Sequence, residues 1–269
     1  MILIISLIIL ICILYILSTI CRTGEDRMGE LYGWNYTHRG LYGNGVPENS
    51  MEAFRRAREK GYGIELDVHL LSDGNLGVMH ESELIRTTGR EGQIEDLTAA
   101  QLSEYFLENT MQTIPEFGQV LRLVDGRIPL IVELKPLRNN YAQLCEKVCL
   151  LLDDYKGVYC VESFDPRCVF WFRKNRPDII RGQLTKNYFK NKASKLPWVI
   201  KFILTNQMFN FLTRPDFVAY MYADRRTLSD TIVRKLWKTP SVTWTLKNRR
   251  EYNTAVAEGR VPIFENFEP

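Results

Sequence analysis

Short apolar runs recur along this chain at residues 36–38, 64–70, 76–80, 128–134, 158–163, 179–182, 217–220, 242–245 and 261–264. Between them, residues 50–60, 114–124, 141–155, 166–175, 228–237 and 249–259 repeat apolar side chains at helical spacing. Strand and helix in alternation predict an α/β fold with a parallel sheet. A chain of 269 residues leaves room for one barrel of about 250 residues once its N-terminus is set aside. Nine runs are one more than a (β/α)8 barrel needs. The excess lies at 64–70 and 76–80, joined only by the turn sequence Ser72-Asp73-Gly74-Asn75. A parallel crossover takes about a dozen residues or more, so this link is a tight connection and the expected barrel is distorted there.

Residues 2–20 are apolar or small and carry no charge. About 20 such residues span a bilayer core as a helix. A cleaved signal peptide would start from a basic region and end at small residues, and neither is present; Ile20 is also too large for a lipoprotein site at Cys21. The expected organisation is a transmembrane anchor at 1–21, a linker at 22–35 and a barrel at 36–269. Arg22 and Arg27 follow the apolar run, which favours a single-pass protein with its barrel on the cytoplasmic side. Net charge is +3 with no basic block, which argues against nucleic acid as a partner. The six cysteines show no paired zinc or disulfide spacing and read as reduced core residues. Nothing marks an obligate protein partner.

Ionisable residues gather at the ends of the apolar runs. His38-Arg39 closes the first, Glu65 and Asp67 lie in the second, His80-Glu81 closes the third, and Glu133 and Lys135 close the fourth. In such barrels the C-terminal strand ends carry the chemistry. Residues two apart on a strand share a face, so Glu65 pairs with Asp67 and Glu133 with Lys135. Two adjacent carboxylates repel unless a proton or cation lies between them. Three carboxylates with a lysine and an arginine suit a hard divalent cation, Mg²⁺ or Ca²⁺, together with a phosphate. Two histidines could then serve as general acid and base. Each motif alone is more often structural; their convergence on one face carries the reading. His69, the remaining histidine, is placed beyond the strand top near the turn and is read as non-catalytic.

His38-Arg39-Gly40, Pro47-Glu48-Asn49-Ser50, Glu65-Leu66-Asp67-Val68, Asp73-Gly74, His80, Arg86-Thr87-Thr88 and Gly92 follow one another in register. With Val132-Glu133-Leu134-Lys135, Glu162-Ser163-Phe164-Asp165 and Val242-Thr243-Trp244-Thr245, they resemble the glycerophosphodiester phosphodiesterase family over nearly everything after Thr37. The resemblance implies a TIM-type barrel of the phospholipase C-like kind and metal-dependent hydrolysis of small-molecule glycerophosphodiesters to glycerol-3-phosphate and an alcohol. It implies His38 and His80 as the acid–base pair, Glu65, Asp67 and Glu133 as metal ligands, and Arg39 and Lys135 as phosphate contacts. Glu48 either supports the site or holds Arg39, and Trp244 either lies near substrate or packs in the core. A cap insertion at about 81–113 would help to hold the glycerol. Two departures stand out. Glu81 replaces the usual Asp, which puts a contact to His80 in doubt. The ending Ile263-Phe264-Glu265-Asn266-Phe267-Glu268-Pro269 replaces a Thr-Asp ending and is expected to affect barrel closure more than chemistry. Two further readings stay open. One is a lysophospholipase D acting on membrane lysophospholipids, with the aromatic and basic stretch 192–213 at the interface or simply covering the barrel. The other is a catalytically dead barrel that binds phospholipid headgroups.

Overall fold

The structure is a computed structural model and describes residues 1–24, 26–190 and 195–269. Its elements run α1 (Ile2–Ser18), β1 (Tyr36–His38), α2 (Met51–Glu59), β2 (Gly63–Leu70), β3 (Leu76–Val78), α3 (Ile85–Thr88), α4 (Phe117–Val124) and β4 (Leu130–Leu134). They continue with α5 (Tyr141–Leu152), β5 (Tyr159–Ser163), α6 (Pro166–Asn175), β6 (Arg181–Thr185), α7 (Trp198–Thr205), α8 (Asn210–Thr213) and β7 (Phe217–Met221). The last are α9 (Leu228–Thr231), which runs on into a wider turn over Ile232–Leu236, then β8 (Ser241–Leu246), α10 (Arg249–Ala257) and β9 (Val261–Phe264).

Strands β1, β2 and β4 to β9 pair in parallel, and β1 joins both β2 and β9, so eight strands close into a barrel. The ninth, β3, is the source of the distortion. It folds back antiparallel on β2, with Val68 opposite Val78 and Leu70 opposite Leu76. Strand β2 therefore runs on past the rim, and the hairpin returns the chain until the Met79 N–H donates to the Asp67 carbonyl. His80 is delivered back to the level of the acidic pair without any crossover helix.

Local sequence explains the surrounding helices. Ser50 caps α2 by accepting from the Ala53 N–H, and Ala53, Phe54 and Ala57 form its buried face. Asp165 caps α6, and Pro166 occupies its first turn, where no N–H is needed. Cys145, Cys149 and Leu152 share the buried face of α5, and all six cysteines are free.

Inward-facing residues form two layers. The lower layer is apolar, with Tyr36, Ile131, Cys160, Phe217, Val242 and Ile263 in one cluster. Two positions further along, the same faces present His38, Glu133, Glu162, Trp244 and Glu265. Phe217 fills the barrel centre over Gly182, where a Cβ would fall 2.2 Å from its ring.

Three expectations need revision. The strand expected at 179–182 is Arg181–Thr185, because the polar run Arg-Gly-Gln-Leu-Thr carries the pairing to β7. The expected transmembrane span over 2–20 is not reached: α1 ends at Ser18, and no helix among the described residues is long and apolar enough to cross a membrane. The helix stops because Thr19 and Cys21 are drawn into the barrel wall, both fully buried, with the Trp237 indole donating to Thr19 Oγ1 at 3.1 Å. The segment at 22–35 packs as well, with Met28 and Leu31 closing the barrel floor under Tyr36. Of the stretch 192–213, residues 192–194 lie outside the described residues; the rest contains α7 and α8.

Candidate active site

Strand register assembles the upper layer. His38 lies opposite Glu65, Asp67 opposite Glu133, and Glu133 opposite Glu162. The His-Arg-Gly triplet turns the chain off β1. Arg39 and Gly40 both take positive φ, and a Cβ on Gly40 would meet the Ala53 Cβ at 2.8 Å. The turn points the Arg39 N–H at the Glu65 carbonyl, 2.9 Å away, and toward Glu65 Oε2 at 3.2 Å.

The cavity above this layer measures about 360 Å³ and is lined by His38, Arg39, Glu65, His80, Glu133 and Trp244, among others. Each histidine has a carboxylate on Nδ1. His38 Nδ1 meets Glu265 Oε2 at 2.6 Å, and His80 Nδ1 meets Glu81 Oε1 at 2.9 Å. The Nε2 of His38 points toward the acidic cluster, 4.0 Å from Glu65 Oε2. Burial pushes the His38 imidazole below its usual value against the upward pull of Glu265, so the ring favours its neutral form. Glu265 is itself brought down to about 2: burial opposes its ionisation, but His38, Tyr42 and Lys247 outweigh that.

Glu65, Asp67 and Glu133 offer oxygens that all lie within 4.8 Å of one another. Burial and the neighbouring Asp67, Glu133 and Glu162 carboxylates push Glu65 well up. Burial also drives Glu133 up, to about 7, against the pull of Lys135. Asp67 goes the other way, because Lys135, His80 and Arg39 outweigh its burial. The Asn49 amide donates to Asp67 Oδ2 at 2.8 Å. Asp67 Oδ1 and Glu133 Oε1 are buried without a well-directed hydrogen-bond donor, and their charge is met by the Lys135 ammonium at 2.9 and 2.7 Å. Three buried carboxylates that repel one another and offer only oxygen ligands fit a hard divalent cation.

Arg39 is gripped by both oxygens of Glu48, at 3.0 and 2.9 Å, while its Nε lies 3.6 Å from Asp67. Glu48 thus holds Arg39, and Arg86 from the 81–113 segment pairs with Glu48 and Glu81. Trp244 donates to the Ala219 carbonyl at 3.2 Å and stacks edge-on against Phe164 at 5.5 Å while still lining the cavity. His69 stands inside β2 rather than beyond it, buried against Glu95 Oε1 at 2.7 Å.

Sequence reasoning missed Glu265, Tyr42 and Lys186 at this cavity. The C-terminal departure was expected to touch barrel closure; instead Glu265, just past β9, holds His38. The signal available was spacing: Ile263 and Glu265 are two apart, so an inward Ile263 places Glu265 in the ionisable layer. The doubtful contact between Glu81 and His80 is made as a close ion-pair approach at 2.9 Å, without the alignment of a hydrogen bond.

A closed parallel barrel with histidines, clustered carboxylates and cations at the C-terminal ends of its strands is a TIM-type barrel with an enzyme-like rim. More narrowly, the chain belongs to the glycerophosphoryl diester phosphodiesterase family, whose model matches residues 38–255. It is 38% identical over 161 residues to a glycerophosphodiester phosphodiesterase of Bacillus altitudinis, a match covering 56% of this chain and 65% of that protein. A Caldanaerobacter subterraneus protein of the same name is 36% identical over 157 residues, covering 55% of this chain and 64% of its own. The chain thus spans somewhat less than two thirds of these relatives. Among solved structures, the fold matches an Oleispira antarctica phosphodiesterase, in complex with the product sn-glycerol-3-phosphate, at TM-score 0.71 and 18% identity, covering 88% of this chain and 94% of that one. A Thermotoga maritima glycerophosphodiester phosphodiesterase matches at TM-score 0.65 and 23% identity, over 87% and 95%.

Proposed function

We propose that this protein hydrolyses glycerophosphodiesters to glycerol-3-phosphate and an alcohol, with Glu65, Asp67 and Glu133 holding Mg²⁺ or Ca²⁺. One observation carries the reading: two histidines, each with a carboxylate beside Nδ1, line one cavity with Arg39, Glu65 and Glu133, while Asp67 completes the carboxylate triad and Lys135 pairs with Asp67 and Glu133. A bound cation would polarise a non-bridging phosphoryl oxygen.

The chain's own groups supply the rest. Glu265 accepts the Nδ1 proton of His38, which leaves the Nε2 lone pair facing the cavity as a base, and Glu81, 2.9 Å from His80 Nδ1, offsets the charge of a ring that also carries a proton on Nε2. One ring takes the proton of the attacking oxygen as the new P–O bond forms. The other, His80, enters with a proton on Nε2 and gives it to the alcohol oxygen as the old P–O bond breaks; the proton held by His38 and the one lost by His80 are then exchanged with water, which restores both rings. Arg39 stays charged, because Asp67, Glu48 and Glu65 outweigh its burial. With Lys135 it neutralises charge that builds on the phosphoryl oxygens. Glu48 keeps the Arg39 fork in place, and Trp244 with Phe164 walls the cavity.

The apolar helix α1 supports a further part of the proposal, that the protein is attached to a lipid membrane, and Arg22 and Arg27 just after it favour the cytoplasmic side for the barrel.

Assay of glycerophosphocholine hydrolysis tests the reaction. Glycerol-3-phosphate should form with added Mg²⁺ or Ca²⁺ and cease with EDTA. No turnover by folded protein with either metal would favour the headgroup-binding reading, and full turnover in EDTA would remove the cation from the mechanism.

A further inference from the structure

Three contacts fix the direction in which α1 leaves the barrel. At its lower end the Arg22 N–H donates to the Pro215 carbonyl at 3.0 Å, and the Arg22 side chain pairs with Asp216 at 3.3 Å. Asp216 immediately precedes β7, so this is the N-terminal floor of the barrel. At the other end the Tyr15 hydroxyl donates to Asn206 Oδ1 at 3.0 Å. Asn206 follows Leu204 and Thr205, whose carbonyls accept from Thr185, the last residue of β6, and from Tyr220 near the end of β7. From Arg22 back to Tyr15 the chain therefore climbs the outer wall from floor to rim. The remaining turns of α1 point onward past the rim, on the side where the catalytic strand ends lie. Residues 2–14 would reach about 20 Å further at 1.5 Å per residue.

Those turns are exposed and apolar on every face. A helix docked on one protein partner needs a single apolar stripe; one that is apolar all round is a helix for a lipid or core environment. Beside it on the rim, α7 leaves Trp198 71%, Val199 44% and Phe202 43% exposed. Trp198 and Phe202 are four apart on one helical face, next to exposed Lys195. Aromatic and basic side chains in this arrangement suit the headgroup layer.

We propose that the barrel docks on the bilayer mouth-first: α1 inserts, the Trp198–Phe202 edge lies in the interface, and the catalytic cavity faces the leaflet. The diester is then drawn from the membrane surface, which selects a single-chain phospholipid-like substrate over a freely diffusing one. This rests on the phosphodiesterase reading for its substrate half, whereas the docking half stands on α1 and α7 alone.

The full-length protein, reconstituted on vesicles of phosphatidylcholine and phosphatidylglycerol, tests both halves. Doxyl-labelled phosphatidylcholine should quench a tryptophan signal that disappears in Trp198→Phe. Trp198→Ser with Phe202→Ser should lower the rate on lysophosphatidylcholine in vesicles by about tenfold, through lost local concentration, and leave glycerophosphocholine hydrolysis unchanged. Val256→Ser, an exposed apolar site on α10 toward the barrel floor, should alter neither. Absence of Trp198 quenching, or an equal loss in Val256→Ser, would overturn the mouth-first orientation. So would self-association through α1 without vesicle binding. Quenching with no hydrolysis of either diester would sink the phosphodiesterase reading and leave the docking intact.

Discussion

The two carboxylates paired with the histidines show what individual residues decide. Glu265 and Glu81 are one methylene longer than aspartate, yet both reach an imidazole Nδ1. Glu265 also accepts from the Tyr42 hydroxyl at 2.9 Å and pairs with Lys247 at 3.1 Å, so its position is held from three sides. If its work is to fix the His38 tautomer, Glu265→Gln should lower kcat by about 10²-fold or more, toward the ~10⁴-fold lost when the carboxylate behind a proton-transferring imidazole becomes an amide, with KM little changed. An unaltered kcat with a lowered Tm would show that it only closes the barrel. His69→Ala gives the contrast. His69 and Glu95 are buried together, and Ser82 donates to the same Glu95 oxygen at 2.6 Å. Removing the imidazole should lower Tm and spare kcat. The acidic and basic residues beside His38 and His80 were legible from i, i+2 spacing on strands. Glu265 was not legible as a partner of His38, because 227 residues separate them and only barrel closure brings β9 beside β1.

Among the elements, the β2–β3 hairpin has the largest effect on the site for the fewest residues. The sequence revealed that a run beyond eight existed and that the Ser72-Asp73-Gly74-Asn75 link was too short for a crossover. It did not reveal that β3 would leave the barrel, since an apolar run has the same appearance whichever neighbour it pairs with. Strand β6 was misplaced for the opposite reason: its inward Gly182 leaves room for Phe217, and its outward residues are polar, so no apolar run marks it. Antiparallel pairing makes the position of His80 a matter of register. Inserting one alanine between Gly77 and Val78 would turn His80 to the other face of β3. Activity should fall as far as in His80→Ala, by about 10²-fold or more, while circular dichroism still shows the barrel. Retained activity would mean that His80 is not placed by the hairpin.

For the molecule as a whole, the N-terminal segment has two parts with different partners, and the boundary between them is Tyr15. Before it the side chains are exposed; after it Thr19, Cys21, Met28 and Leu31 are buried in the barrel wall and floor. The sequence showed a change from apolar to polar near Cys21 and suggested a free linker from Arg22 onward. Contacts with Asn206, Pro215, Asp216 and Trp237 were invisible because each lies about two hundred residues away in the chain. Two truncations separate the parts. A chain beginning at Tyr15 loses only exposed apolar turns, so it should keep its Tm and its rate on glycerophosphocholine while no longer binding vesicles firmly. A chain beginning at Arg27 also loses the buried Thr19 and Cys21 and the Arg22–Asp216 pair. Losing about 2 kcal/mol of burial and hydrogen bonding lowers Tm by on the order of 5 °C in a domain of this size. The shorter chain should therefore melt earlier but still turn over soluble diester when folded, because every group lining the cavity lies at or after His38. Equal Tm values for the two truncations would mean that residues 15–26 add nothing to the barrel. A folded, inactive chain beginning at Tyr15 would mean that the exposed turns of α1 themselves shape the site.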